Sequence, residues 1–347
     1  MHEYPTVILP FDLACAGKRE FTALNDFLNL VRTEVMPDDP PLPLDLRIAG
    51  YQNIPDFVSV SAWAAWDASG TEIVASAFAE FVTTEDNAHL VNINVNVHPK
   101  YRRRGLGREM FRQAAQVPRR EGKTLIMGST NGREPGGEAF MLRIGAERGL
   151  TMRAFQLRLE NVDSEQIRLL LEDQTSPDAF MLEFHDGAYP EDQLTAIVNL
   201  HAVMNTQPRG DLDIEDVQTT PEQIRQMESM EAAAGVQRWT LTAREASTGR
   251  LAGITEVIWH PGVPQIVKQE MTGVLPEFRG HGLGLRIKAA MIDRILRERT
   301  QAKFVRTANA DANAAMLRIN ETLGFEPYMS ACNWQVTTEQ ALAYLAQ

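Results

Sequence analysis

The chain repeats itself, and the repeat constrains the fold more than any other feature. Met36, Pro40, Leu44 and Asp45 recur as Met204, Pro208, Leu212 and Asp213 at an offset of 168 residues. Further along, Pro99, Arg102, Gly105, Leu106 and Gly107 recur as Pro276, Arg279, Gly282, Leu283 and Gly284, now at 177. Met141-Leu142-Arg143-Ile144 and Gly149 then match Met316-Leu317-Arg318-Ile319 and Gly324 at 175. Three matches in one order, with an offset that drifts as loop insertions would make it drift, indicate two copies of one domain. A length of 347 residues accommodates two domains of ordinary size. The copies are assigned to residues 1–161 and 175–347, with the polar stretch 161–178 as connector.

Each copy mixes the two hydrophobic periods. In the first, strand-like stretches at 6–13, 57–66, 73–81 and 90–97 accompany a helix over 18–36, whose Phe21, Leu24, Leu28 and Val31 keep helical spacing. A helix opening near Gly107 meets Pro118, which stops or kinks it. In the second, strands at 180–185, 239–244, 251–259, 266–274, 304–308 and 331–336 alternate with helices over 191–204, 284–299 and 313–323. Thr337-Thr338-Glu339-Gln340 reads as the capping box of a last helix. Antiparallel strand runs interrupted by helices predict the α+β class: two tandem domains, each a mixed, mostly antiparallel sheet flanked by helices.

Charge narrows the function. Asp and Glu number 46 against 34 Lys and Arg, a net charge of −12, the opposite of the basic footprint that nucleic acid requires. Two distant cysteines, Cys15 and Cys332, exclude a disulfide framework and fit a reducing compartment. No apolar stretch approaches the ~20 residues of a membrane span, and the N-terminus lacks a charged-then-apolar leader pattern. The expectation is a cytoplasmic protein with neither nucleic-acid nor membrane partners. No Cys/His cluster has metal-ligand spacing, so no metal is expected.

The chemistry lies in one loop. In the second copy, strand 266–274 runs into Leu275-Pro276-Glu277-Phe278-Arg279-Gly280-His281-Gly282-Leu283-Gly284 and then a helix. Glycines at such a junction let several backbone N–H groups converge beside the positive end of the helix, a nest for phosphate or pyrophosphate that needs few cations. The first copy has Tyr101-Arg102-Arg103-Arg104-Gly105-Leu106-Gly107 there, and both loops follow a strand ending in valine, Val97 or Val274. The pattern is neither a P-loop nor a dinucleotide fingerprint. It resembles the acetyl-CoA loop of the GCN5-related N-acetyltransferases (GNAT), Arg/Gln-x-x-Gly-x-Gly/Ala, met as Arg279-x-x-Gly282-x-Gly284 and Arg102-x-x-Gly105-x-Gly107. The family's later helix reads Asn-x-x-Ala-x-x-x-Tyr-x-x-x-Gly-Phe. Asn313, Met316, Asn320, Gly324 and Phe325 match that spacing, with Asn320 where tyrosine is usual. The tandem arrangement is similar to that of mycothiol synthase.

The resemblance implies an acetyl-CoA-dependent N-acetyltransferase acting on an amine, expected to be that of a small molecule. Backbone N–H groups of Arg279, Gly280, His281, Gly282, Leu283 and Gly284 would hold the CoA pyrophosphate. Val274 and Leu275 would pair with the pantetheine arm, and Asn313 would hydrogen-bond a pantetheine amide or cap its own helix. In the first copy Val97, Arg102, Arg103, Arg104, Gly105, Leu106 and Gly107 would form the corresponding site. At the 175-residue offset, however, Glu138 falls where Asn313 does and Gly145 where Asn320 does. Catalysis is therefore assigned to the second copy, and a structural or CoA-binding role to the first.

Attack on a thioester requires a neutral amine, hence a base. Glu270 is the first choice, since strand parity sets it with Thr272 and Val274. Glu256 is the second, with Glu80 its approximate counterpart. A solvated or ion-paired surface role is the alternative for each. Asn320 cannot protonate the departing thiolate; Tyr328 is the nearest phenol, with a rim or core position as its alternative. The acidic loop Asp211, Asp213, Glu215 and Asp216 is read as solvated, with attraction of a cationic amine as the other reading. Two competing functions remain: a non-catalytic acyl-CoA-binding or sensing protein, and an acetyltransferase that modifies proteins.

Overall fold

The computed structural model describes residues 6–172 and 179–347; the 173–178 part of the predicted connector lies outside them. The elements of the first half are β1 (Val7–Pro10), α1 (Lys18–Val35), α2 (Leu44–Gln52), β2 (Val58–Trp66), β3 (Ile73–Val82), β4 (Leu90–Val97), α3 (Leu106–Ala114), α4 (Gln116–Arg120), β5 (Leu125–Asn131), α5 (Pro135–Arg143) and β6 (Glu147–Arg158). Then come α6 (Ser164–Glu172), β7 (Phe180–Asp186), α7 (Leu194–His201), α8 (Pro221–Ala233), β8 (Gln237–Glu245), β9 (Leu251–Trp259) and β10 (Ile266–Val274). The chain closes with α9 (Leu283–Glu298), β11 (Phe304–Ala310), α10 (Ala314–Thr322), β12 (Glu326–Thr337) and α11 (Thr338–Ala346).

Two compact units form, and they do not coincide with the two sequence copies. The first holds the residues up to Thr151 together with Arg209–Asp216 and Ser330–Gln347; the second holds Met152–Pro208 and Val217–Met329. In the first unit the strand order is β1-β2-β3-β4-β5 and then the C-terminal part of β12. In the second it is β6-β11-β10-β9-β8-β7. Both sheets are antiparallel except for one parallel pair each, β4 with β5 and β10 with β11. The sixth strand of each sheet thus comes from the other copy's sequence. Residues 331–337 pair with β5, and 152–158 pair with β11. Boundaries at 161 and 175 follow the repeat, whereas packing gives 330–347 to the first unit. Sequence periodicity shows which segments correspond, not which edge closes a sheet.

Each sheet is covered on both faces. In the first unit α3 and α11 lay Met110, Phe111, Ala341 and Leu345 on Val91, Ile126 and Trp334, and α1 buries Phe21, Leu24 and Phe27 against Ala62 and Ala64. In the second, α9 packs Ile287, Met291 and Ile295 on Leu241, Val257, Val267 and Val305. On the opposite face α7 and α8 pack Leu194, Ile197, Leu200 and Ile224 on Ile254. Pro118 acts as expected: its missing N–H leaves the helix broken between Ala114 and Gln116, while the corresponding α9 runs 16 residues without interruption. The acidic loop is pinned rather than simply solvated. Glu215 and Asn87 exchange two hydrogen bonds, at 2.7 and 2.8 Å, and the Asp213 N–H donates to Gln335 at 2.8 Å.

Candidate functional site

The two parallel pairs place the sites. β4 meets β5 only over 90–92 and 125–127, and β10 meets β11 only over 266–268 and 304–306. Beyond these residues the strands part. A cavity of about 790 Å³ opens in the first unit and one of about 420 Å³ in the second. Each has a nest at its mouth. After a short 3₁₀ turn the backbone is left-handed at two positions: Arg103 (φ 62°) and Gly105 (φ 87°) in the first loop, Gly280 (φ 82°) and Gly282 (φ 72°) in the second. Glycine takes this conformation freely, while an arginine there carries strain. No side chain of the described residues caps α3 or α9, so their first-turn N–H groups face the cavities.

The motif arginines do a different job from anion binding. Arg279 Nε donates to the Val274 carbonyl at 2.9 Å, and Arg102 Nε donates to the Val97 carbonyl at 3.0 Å, bracing each loop on the strand it leaves. Gly284 is needed for proximity, since a Cβ there would lie 3.2 Å from Ile319 of α10. His281 is exposed in the loop.

The helices after β5 and β11 correct the sequence register. Each has nine residues, α5 following the N-cap Glu134 and α10 the N-cap Asn313, and the left-handed Gly145 and Gly324 follow their C-caps. Glu134, not Glu138, therefore stands in the place of Asn313. Met141, not Gly145, stands in the place of Asn320, and Gly149 lies in β6. The Met-Leu-Arg-Ile identity is a coincidence one turn out of register. Asn313 caps α10 by accepting the Met316 N–H at 3.2 Å. Glu134 likewise accepts the Gly136 N–H, at 2.9 Å, and pairs with Arg102.

A bulge overturns the parity argument for Glu270. Gln269 pairs with Val257 and Thr272 with Thr255, so Glu270 and Met271 together oppose Glu256 alone. Across the bulge Gln269, Thr255 and Thr272 share one face, with their side chains hydrogen-bonded at 2.8–3.4 Å. Glu270 consequently faces away from Thr272 and Val274, toward the side covered by α7 and α8, which it shares with Glu256. Its side chain reaches solvent, yet burial by the surrounding protein raises its carboxyl above the usual range. Lys268 opposes that rise, and Glu256 and Glu231 add to it. β4 pairs with β3 without interruption from 75–80 to 92–97, so the first unit has no such bulge.

Glu256 is 6% exposed and accepts from the Tyr189 hydroxyl and, at 2.8 Å, from the Thr240 hydroxyl. Burial pushes the Tyr189 phenol up and His201, 3.3 Å from it, down. Strand register sets Phe78, not Glu80, in the position of Glu256, because Val97 pairs with Ala75 and Val274 with Gly253. Tyr328 lines neither cavity; the Arg306 guanidinium stacks 4.3 Å over its ring.

One residue that motif reading passed over is Lys288. It is fully buried in α9, donates to Asn320 Oδ1, and lies 4.6 Å above the Phe325 ring; Asn320 in turn donates to Asn309 at 2.8 Å. Desolvation pushes its ammonium down to about 7. Its mark in the sequence is a lysine inside the apolar stripe Leu283, Ile287, Met291 and Ile295. Among the described residues no group of three or more His, Cys, Asp or Glu is placed to hold a metal, and no helix is long and apolar enough to cross a membrane.

Comparison with known proteins agrees with this geometry. Residues 26–135 match the acetyltransferase (GNAT) family, and residues 265–335 match FR47-like proteins. A tandem GNAT protein from the clavulanic acid biosynthesis pathway superposes with a TM-score of 0.78 at 24% identity, covering 96% of this chain and 98% of that one. A GCN5-related N-acetyltransferase from Sphaerobacter thermophilus gives 0.68 at 12% identity, covering 95% and 96%. The glucosamine N-acetyltransferase region of a fungal multi-domain β-N-acetylglucosaminidase gives 0.63 at 14%, covering 96% of this chain and 38% of that one. At such identities the likeness is one of fold. No curated protein matches the chain.

Proposed function

Because the chain belongs to the GNAT acetyltransferase family, and carries its domain twice, we propose that the second unit moves the acetyl group of acetyl-CoA to an amine of a small molecule. The first unit, in this reading, holds a CoA without transferring from it. The observation that carries the division is the bulge at Glu270–Met271, present in β10 and absent from β4.

The steps follow from the residues in place. The N–H groups of 280–284 hold the pyrophosphate at the mouth of the second cavity, since that of Arg279 is donated to the Pro276 carbonyl, and the pantetheine runs inward along β10 from Val274 toward the bulge. The amine arrives on the face covered by α7 and α8, where Glu256 and Glu270 favour a cationic group. Glu270, raised toward neutrality, takes a proton from the ammonium directly or through water. The free nitrogen attacks the thioester carbonyl and the C–N bond forms; the C–S bond then breaks with its electron pair on sulfur, and the proton shed by the amide nitrogen passes through water to the departing thiolate.

The test is release of CoA thiol from acetyl-CoA across a panel of small amines. Glu270→Gln should lower turnover by roughly 10²–10⁴ at neutral pH with little change in CoA affinity, and the defect should shrink as pH rises and free amine becomes abundant. Wild-type rates throughout would remove Glu270 from the reaction. The absence of a phenol at Asn320 favours a second reading, a CoA-binding sensor; CoA binding with no amine-stimulated release would select it.

A further inference from the structure

The two nests carry different charge. At the loop offset of 177 residues, Lys100, Arg103, Arg104 and Arg108 of the first unit stand where the second has Glu277, Gly280, His281 and Leu285. Four cationic side chains thus become an acid, a glycine, a histidine and a leucine. Two of the four have work inside the first unit. Arg108 donates to the Tyr344 and Leu345 carbonyls at 3.2 and 3.4 Å, and the Arg104 guanidinium lies 5.6 Å over the Tyr101 ring. Arg103 differs. It is exposed, it lines the first cavity, and among the described residues no hydrogen bond or ion pair engages its side chain. It also holds a left-handed backbone, φ 62°, which Gly280 adopts freely in the sister loop. No such contact of its side chain offsets that strain.

We propose that Arg103, with Arg104 beside it, binds the 3′-phosphate of CoA, so that the first unit selects the fully phosphorylated nucleotide while the second holds the pyrophosphate alone. The inference rests on the reading that each nest receives a CoA pyrophosphate. Backbone N–H groups beside a helix start meet that group with few cations. The motif arginine does not compete, since Arg102 is committed to the Val97 carbonyl, Glu34 and Glu134. Arginines beyond it exceed what a pyrophosphate asks for. CoA carries one further phosphate, on the ribose of its adenosine, at the end of the molecule away from the thioester. A guanidinium meets a phosphate with two parallel N–H donors, which neither glycine nor histidine supplies. The first unit would then retain intact CoA, and the second would exchange it, as repeated transfer requires.

Calorimetry with CoA and with 3′-dephospho-CoA tests this. Wild-type protein should show two sites, one of which weakens with dephospho-CoA while the other is unchanged. Gly282→Glu protein isolates the first site, and there dephospho-CoA should bind at least tenfold more weakly than CoA, with a gap that narrows as salt rises. Gly105→Glu protein isolates the second, where the two ligands should bind alike. Arg103→Gly with Arg104→His, added to Gly282→Glu, gives the first loop the residues of the second and should abolish the discrimination while leaving dephospho-CoA affinity in place. Arg103→Gly relaxes a left-handed residue, so loss of the fold does not mimic this result. Equal affinities for the two ligands at both wild-type sites, or a discrimination that survives the loop exchange, would overturn the role of Arg103 and leave the nests standing. Failure of folded wild-type protein to bind either ligand would overturn both.

Discussion

Replacing Lys288 by methionine should stabilise the protein at neutral pH, although it removes a hydrogen-bonded residue from the core. Methionine fills similar volume without charge. Lowering an ammonium from 10.5 to about 7 corresponds to roughly 5 kcal/mol lost to burial below pH 7, at about 1.4 kcal/mol per pH unit. Against this, Asn320 Oδ1 loses its donor, an unmet buried acceptor costing about 1–3 kcal/mol. The net expectation is a gain of about 2–4 kcal/mol. Between pH 7 and 10.5 the unfolded chain binds a proton at Lys288 that the native protein does not, so wild-type stability rises with pH across that window. The variant lacks this slope; its advantage should shrink as pH rises and reverse once the lysine is neutral in both states. Urea unfolding at pH 6.5 and 9.5, with hydrogen exchange of α9 to localise the effect, reads both quantities. A variant less stable at pH 6.5, or an advantage independent of pH, would refute the picture of an unpaired buried cation, since breaking a true buried ion pair costs about 3–5 kcal/mol instead.

Other outcomes follow from the same geometry. Gly282→Glu and Gly105→Glu each place a charged side chain on a left-handed nest residue, and each should reduce CoA stoichiometry by calorimetry from two to one, the double variant binding none. Glu256→Gln keeps an acceptor for Tyr189 but weakens the hydrogen bonds of buried partners; it should lower the unfolding free energy measured in urea by about 1–3 kcal/mol while leaving the pH dependence of turnover in place. A fragment of residues 1–161 lacks the strand that pairs with β5 and the α11 residues that pack on α3, so it should give a poorly dispersed amide spectrum, restored by adding the segment 330–347 in cis.

Several elements were legible to the residue. Strands 90–97, 251–259 and 266–274 coincide with β4, β9 and β10: apolar residues recur along each, alternating with asparagine in β4, and turn residues bound them. The capping box ahead of α11 is present as read. α8 escaped because it is polar along most of its length and buries only Ile224, although its own capping box, Thr220 with Gln223, was a usable signal. At α5 the helix stop outweighs the Met-Leu-Arg-Ile identity: the left-handed Gly145 and Gly324 carry the physical constraint, and the four matching letters carry none. Parity failed at Glu270 for a similar reason. Alternation presumes an unbroken ladder, and one extra residue in β10 transfers everything beyond it to the other face.

Under the proposed function, the bulge also accounts for how a duplicated domain could divide its labour with few changes. Both copies retain the braced loop, the left-handed nest and the parted strands, which together suffice to receive a phosphate-bearing arm. Transfer asks for more: a base on the acceptor face. In the second unit one inserted residue turns Glu270 to the face covered by α7 and α8, and Lys288 for Phe111 and Asn320 for Met141 put a buried polar pair between α9 and α10. The same substitutions coincide with the smaller cavity, about 420 Å³ against about 790 Å³. If the second unit is the one that transfers, as proposed, cavity size is the wrong guide to the working copy. The larger space belongs to the first unit, where Phe111 and Met141 line the cavity.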